Sequence, residues 1–195
     1  SNRRQRQMCI RDRPLGLACR LYQIARDASM FLSVCAAIAS KLVASGQSVS
    51  IAESSTGGLI AANLLSVAGA SSYFRGGSVI YTRESRHAFL DLDAIKLKGL
   101  KPLTEPMVAE FAHAARLKLD ATWGIAELGA AGPTGTPYGH APGTSVIGIS
   151  GPVNAAITVE TFSENREENM TRFTKAALTL FNTTLMRSLE STSKG

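Results

Sequence analysis

The sequence predicts an α/β protein: a three-layer α/β/α sandwich built on a mixed β-sheet. Three observations lead there. Apolar runs of strand length alternate with segments of helical periodicity, the pattern of a sheet covered by helices on both faces. Two strand-like runs, T-S-V-I-G-I-S at 144–150 and A-A-I-T-V-E-T-F at 155–162, are parted only by G-P-V-N. That is a hairpin signal, so part of the sheet must be antiparallel. A chain of 195 residues suits one domain with a real core, and no internal repeat interrupts it.

The elements follow in order. A helix over 29–45 places Leu32, Cys35, Ala36, Ala39, Leu42 and Val43 on one face and stops at Gly46. S-V-S-I-A at 48–52 reads as a strand. Thr56-Gly-Gly opens a second helix reaching about residue 67, and Gly69 to Ser72 form a turn. G-S-V-I-Y-T at 77–82 is a strand and R-E-S-R-H-A-F-L at 83–90 a short helix, followed by a patternless loop to residue 102. Thr104 and Pro106 start a helix to Leu119, with Val108, Phe111, Ala112, Ala115 and Leu119 inward. T-W-G-I-A-E-L at 122–128 is a strand whose Trp123 belongs to the core. Residues 129–143 hold five Gly and three Pro, a loop too long and too costly for a mere connection. The last helix spans 164–189, with Met170, Phe173, Ala177, Leu180 and Leu185 as its apolar positions, and 191–195 is a loose tail.

Charge is a weaker guide. The formal net charge of +6 would favour a nucleic-acid partner. Five arginines and one aspartate, however, lie within residues 1–13, whose R-R-Q-R-Q-M-C-I-R-D-R reads as the translation of a transposase-type sequencing adapter. Without them 16 Lys+Arg face 14 Asp+Glu, a balance of +2. Residues 1–13 are therefore set apart, 14–28 form an N-terminal extension, and 29–190 form the domain. The alternative, a native basic arm, would bind nucleic acid or a membrane surface; the expectation is neither partner. Cys9, Cys19 and Cys35 show no metal-type spacing, and a reducing compartment fits them. His87, His113 and His140 show none either. No run reaches the ~18 apolar residues of a membrane span.

Three stretches carry chemistry. A-E-S-S-T-G-G at 52–58 lies between a strand and a helix, where free N–H groups and the positive helix end hold phosphate or an oxyanion. A serine there is placed for nucleophilic attack; plain capping by Ser55 or Thr56 is the competing reading. A-A-G-P-T-G at 130–135 offers bare backbone to a ligand. Y-T-R-E-S-R-H at 81–87 gathers a phenol, a carboxyl group, two guanidinium groups and an imidazole, with Arg83 read as solvated.

Taken in order, these stretches resemble the C-terminal domain family of CinA, the nicotinamide-nucleotide amidases. The family pattern runs A-E-S-C-T-G-G, G-S-S-A-Y-F-x-R-G-x-V-x-Y-S-N-E-A-K, T-G-I-A-G-P-x-G-G, V-G-T-V and G-D-R. Here the chain reads A-E-S-S-T-G-G, A-S-S-Y-F-R-G-G-S-V-I-Y-T-R-E-S-R, L-G-A-A-G-P-T-G-T, P-G-T-S and S-E-N-R. The match covers about residues 31–189. The resemblance implies hydrolysis of the carboxamide of nicotinamide mononucleotide to nicotinate mononucleotide and ammonia, with a serine–lysine pair, no metal, no cofactor, and a homo-oligomeric assembly. Ser54 takes the place of the family nucleophile, and Tyr81 belongs to the same catalytic group. Ser55, Thr56, Gly57, Gly58, Gly129, Ala131, Gly132, Pro133, Gly135 and Arg166 fall at substrate-binding positions.

The chain departs from the pattern where chemistry is most demanding. The family lysine falls on Arg86 and the family threonine on Leu128; Ser55 replaces a cysteine. Lysine loses its proton when buried and then serves as base, whereas arginine does not. His87 is turned by ~100° along the helix from Arg86, and Glu127 faces the opposite side of the strand from Leu128. Arg86 is instead suited to a phosphate. Two readings stay open: an amidase of altered activity, and a nucleotide-binding protein that does not hydrolyse its ligand. A purely structural oligomer is a third.

Overall fold

The structure, a computed structural model, describes residues 17–192. The adapter-like segment with Cys9 and the last three residues of the tail lie outside them. The elements run α1 (Leu17–Ser45), β1 (Val49–Glu53), α2 (Leu59–Leu65), β2 (Phe74–Val79), α3 (Arg83–Leu90), α4 (Glu105–Lys118), β3 (Trp123–Ala130), β4 (Thr144–Ser150), β5 (Ala155–Glu160) and α5 (Arg166–Thr192). The strands form one sheet in the order β2-β1-β3-β4-β5. β1 is parallel to β2 and β3, while β4 is antiparallel to β3 and β5. The sheet is mixed, as expected, and the hairpin lies where G-P-V-N put it.

Helices cover both faces. On one, Cys35, Ile38 and Leu42 of α1 meet Ile60 and Leu64 of α2, Phe181 and Leu185 of α5, and the inward residues Ile51, Trp123, Ile125 and Ile149. On the other, Val108, Phe111 and Ala112 of α4 pack on Ala52, Ala126, Leu128 and Val146. Alternate residues of β1 and β3 therefore face different layers. Trp123 is fully buried, donates from Nε1 to Gln47 Oε1 at 2.8 Å, and meets Phe181 edge-on.

Several boundaries differ from the sequence reading. α1 begins at Leu17, and its buried stripe is Phe31, Cys35, Ile38, Ala39 and Leu42, whereas Leu32 and Val43 are exposed. The phase is set by the larger pair Phe31 and Ile38, which the smaller alanine positions had masked. β2 starts at Phe74 and not at the expected Gly77, because Phe74 and Gly76 pair with Val49 and Ser50 of β1. Tyr81 and Thr82 lie beyond it, and Thr82 instead caps α3 in a reciprocal box with Ser85. β3 continues through Gly129 and Ala130, which pair with Ser145 and Thr144. Leu119 is exposed, and α5 takes in Ser191 and Thr192 of the expected tail.

Cys35 is completely buried, and burial pushes its thiol up to about 11. Its thiolate is scarce near neutral pH. A thiol reagent at pH 8 should leave Cys35 unlabelled in the folded protein and modify it rapidly in denaturant, read by mass spectrometry of the peptide.

Candidate active site

The site is organised from the C-terminal ends of β1 and β3. Glu53 and Glu127 are register partners on these adjacent strands, face the same layer, and are both buried. Buried carboxyl groups need acceptor duties to perform, and both have them. Glu53 accepts from Ile60 N and Ala61 N at 3.0 Å each and from Thr56 Oγ1 at 2.6 Å. It therefore satisfies the first amides of α2 from outside the helix. The N-cap itself is Gly58, with φ 105° and no side-chain cap, so neither Ser55 nor Thr56 caps the helix. Glu127 accepts from Ser55 Oγ (2.5 Å), Ser145 Oγ (2.9 Å), Ser54 N (3.1 Å), Thr56 N (3.0 Å) and Thr56 Oγ1 (3.0 Å).

These contacts lock the A-E-S-S-T-G-G turn. Gly57 N adds a bond to Ser54 O. The amides of Ser54, Thr56, Gly57, Ile60 and Ala61 thus already donate to the protein's own acceptors. Gly129 completes the packing: a Cβ there would collide with Ser55 Oγ and lie 2.7 Å from Glu127 Oε1. Gly129→Ala should cost about 1–3 kcal/mol, read as a lower urea midpoint with an unchanged m-value.

Ser54 points the other way. It lines a cavity of about 620 Å³ together with Arg83, Arg86, His87, Leu128 and Tyr138, a volume in the range of small-molecule sites. Ser54 is 6% exposed, and among the described residues its hydroxyl makes no hydrogen bond. Leu128 lies in the wall beside it while Glu127 lies across the strand, as the alternation required. Arg86 is half-buried; its Nε donates to Ile80 O at 3.4 Å and its guanidinium lies 5.4 Å from the Phe111 ring centre. Burial, chiefly, lowers its pKa from the ordinary arginine value, though a guanidinium still holds its proton at neutral pH.

The long loop after β3 divides. Gly129 lines the cavity; Ala131, Gly132, Pro133 and Gly135 do not. The parts that reach it are Thr136 and Tyr138, with Tyr138 accepting from Arg83 at 3.2 Å. Arg166, the first residue of α5, donates to Gly132 O at 2.9 Å and contacts Tyr81 Oη at 3.5 Å. Arg166 and Tyr81 thus hold the outside of the loop rather than the cavity wall. Asn169 supports it by donating to Ala131 O at 2.8 Å. Sequence reasoning missed Arg83, His87, Thr136 and Tyr138 as cavity residues. Tyr138 carried a signal, as the loop's one aromatic residue. No group of three His, Cys, Asp or Glu capable of holding a metal occurs among the described residues.

With this geometry in place, the comparisons with known proteins are informative. A model of the CinA C-terminal domain matches residues 32–185. The chain belongs to the CinA C-terminal domain family. The CinA-like protein of Parasynechococcus marenigrum (strain WH8102) is 36% identical over 134 residues, 69% of this chain and 32% of that protein. The CinA-like protein of Chlorobium limicola (strain DSM 245 / NBRC 103803 / 6330) is 34% identical over 136 residues, 67% of this chain and again 32% of that protein. The chain therefore spans 32% of the length of each of these CinA-like relatives. Among solved structures, the competence damage-inducible protein A of Klebsiella pneumoniae subsp. pneumoniae MGH 78578 superposes with a TM-score of 0.74 at 25% identity, covering 80% of this chain and 97% of that one. The competence/damage inducible protein CihA of Agrobacterium tumefaciens gives 0.69 at 25% identity, covering 77% and 92%. The five-stranded α/β architecture is thus the CinA fold. No helix among the described residues is long and apolar enough to cross a membrane.

Proposed function

We propose that this CinA-family chain binds a pyridine mononucleotide in the Ser54 cavity and works as a weak amidase on its carboxamide. The observation that carries the reading is Ser54 itself: its amide is pinned by Glu127, it lines the cavity, and its hydroxyl makes no hydrogen bond among the described residues. In this reading Ser54 Oγ adds to the carboxamide carbon, ammonia departs, and water releases the acid from the serine ester. The family resemblance supplies the substrate, nicotinamide mononucleotide.

The same cavity limits the rate. Arg86 and Leu128 stand where a proton acceptor and a hydroxyl would assist Ser54, and neither side chain accepts a proton. General base catalysis contributes roughly 10²–10⁴-fold, so turnover should be slow by about that factor. Binding does not need the base, and it should survive. The test is ammonia release and calorimetric binding with nicotinamide mononucleotide on the full chain and on Ser54→Ala. Slow release by the parent, none by Ser54→Ala, and binding by both support the proposal. Release that persists in Ser54→Ala assigns the chemistry elsewhere. A homo-oligomer is expected for the assembly, checked by light scattering.

A further inference from the structure

The cavity is lined by two guanidinium groups without an ion pair among the described residues, the exposed Arg83 and the half-buried Arg86. The ion pairs among the described residues are Lys118–Asp91 and Arg172–Glu168. The two acids of the wall are turned to backbone. Asp93 accepts from Ile95 N and Lys96 N at 2.9 Å each, and Glu84 is held by its own amide and Thr82. A half-buried cation without a counter-ion is costly, and a ligand anion would remove that cost.

The fold places one of these cations beside Ser54. Arg86 Nε donates to Ile80 O, Ile80 N donates to Glu53 O at 2.8 Å, and Ser54 follows Glu53 in the chain. Ser54, Arg86 and Leu128 line the same cavity. A carboxamide there presents one acceptor and an NH₂ donor. A guanidinium has donors only, so the NH₂ group finds no acceptor on it. A carboxylate presents two acceptor oxygens, matching the planar fork of arginine in a bidentate pair. Arg83, which donates to Tyr138 and lines the same cavity, offers a second cation for a second anionic group.

We propose that Arg86 makes this cavity a carboxylate site: it takes the acid form of a pyridine mononucleotide in preference to the amide, carboxylate on Arg86 beside Ser54 and phosphate on Arg83 and Tyr138. This inference rests on the nucleotide reading given above and goes beyond it in naming the preferred ligand. A carboxylate is not a substrate for Ser54, so the acid form, once bound, occupies the site and slows turnover of the amide.

The test is calorimetry on the full chain with nicotinate mononucleotide and nicotinamide mononucleotide. The acid should bind more tightly by roughly tenfold, the worth of one charge-assisted pair. Arg86→Gln should abolish that preference, Arg86→Lys should reduce it, and Arg83→Gln should weaken both ligands alike. Equal binding, or tighter binding of the amide, overturns the carboxylate assignment and leaves the nucleotide reading standing. If neither nucleotide binds to chain with native circular dichroism, the nucleotide reading fails and this inference with it. The comparison on the unaltered protein decides the matter even if a variant fails to fold.

Discussion

Replacing Glu127 by alanine should destabilise the protein by about 2–4 kcal/mol, because Ser55 Oγ and Thr56 N lose their acceptor, whereas Ser54 N keeps Glu127 O, Thr56 Oγ1 keeps Glu53 and Ser145 Oγ keeps Leu128 O. Five donors converge on this carboxyl group, two of them backbone amides of the Ser54 turn. Water has no route to replace the lost acceptor, since Glu127, Ser55 and Ser145 are all buried. Glu127→Gln should be far milder, about 1 kcal/mol. Its carbonyl oxygen can take the Oε2 position that faces the amides of Ser54 and Thr56. Its NH₂ group would then face the hydroxyls of Ser55 and Ser145, which rotate to accept. Urea unfolding of both variants checks the prediction. Similar losses for alanine and glutamine would mean that the charge, and not the acceptor geometry, holds the turn.

Much of this architecture was legible in the sequence. The alternation of β and α segments, the G-P-V-N hairpin, the buried Cys35 and Trp123, and the short helix 83–90 all follow from local pattern and turn chemistry. So does the opposite facing of Glu127 and Leu128, which period-2 geometry fixes. What the sequence hid was tertiary. Phe74 and Gly76 join β2 only because β1 is there to pair with them. Ser55 and Thr56 look like helix caps because nothing local reveals that Glu53 and Glu127 will supply the acceptors. Arg83 is exposed, as its sequence reading had it, and only its bond to Tyr138, 55 residues away, was hidden. The cavity wall is drawn from the ends of β1 and β3, from α3 and from two loops, a grouping no sequence window contains. Of the Gly/Pro loop, Thr136 and Tyr138 line the cavity and the A-A-G-P stretch does not.

On the reading proposed above, Ser54 lines the cavity while the family's lysine and threonine positions hold Arg86 and Leu128, neither of which can take its proton. Arg86 keeps its proton, and the Leu128 side chain, nearly inaccessible at 2% exposure, contributes only apolar surface. The account therefore expects chemistry to return when those two functions return. Leu128→Thr puts a hydroxyl into a wall that is otherwise apolar on that side, at a cost of about 1–3 kcal/mol, so folding of the double variant must be confirmed by its urea midpoint. The measurement to make is ammonia release from nicotinamide mononucleotide by Arg86→Lys/Leu128→Thr beside the parent chain. The account predicts a gain of about 10²-fold or more in the double variant, abolished again by Ser54→Ala. A double variant that folds, binds the nucleotide and releases ammonia no faster than the parent would contradict it.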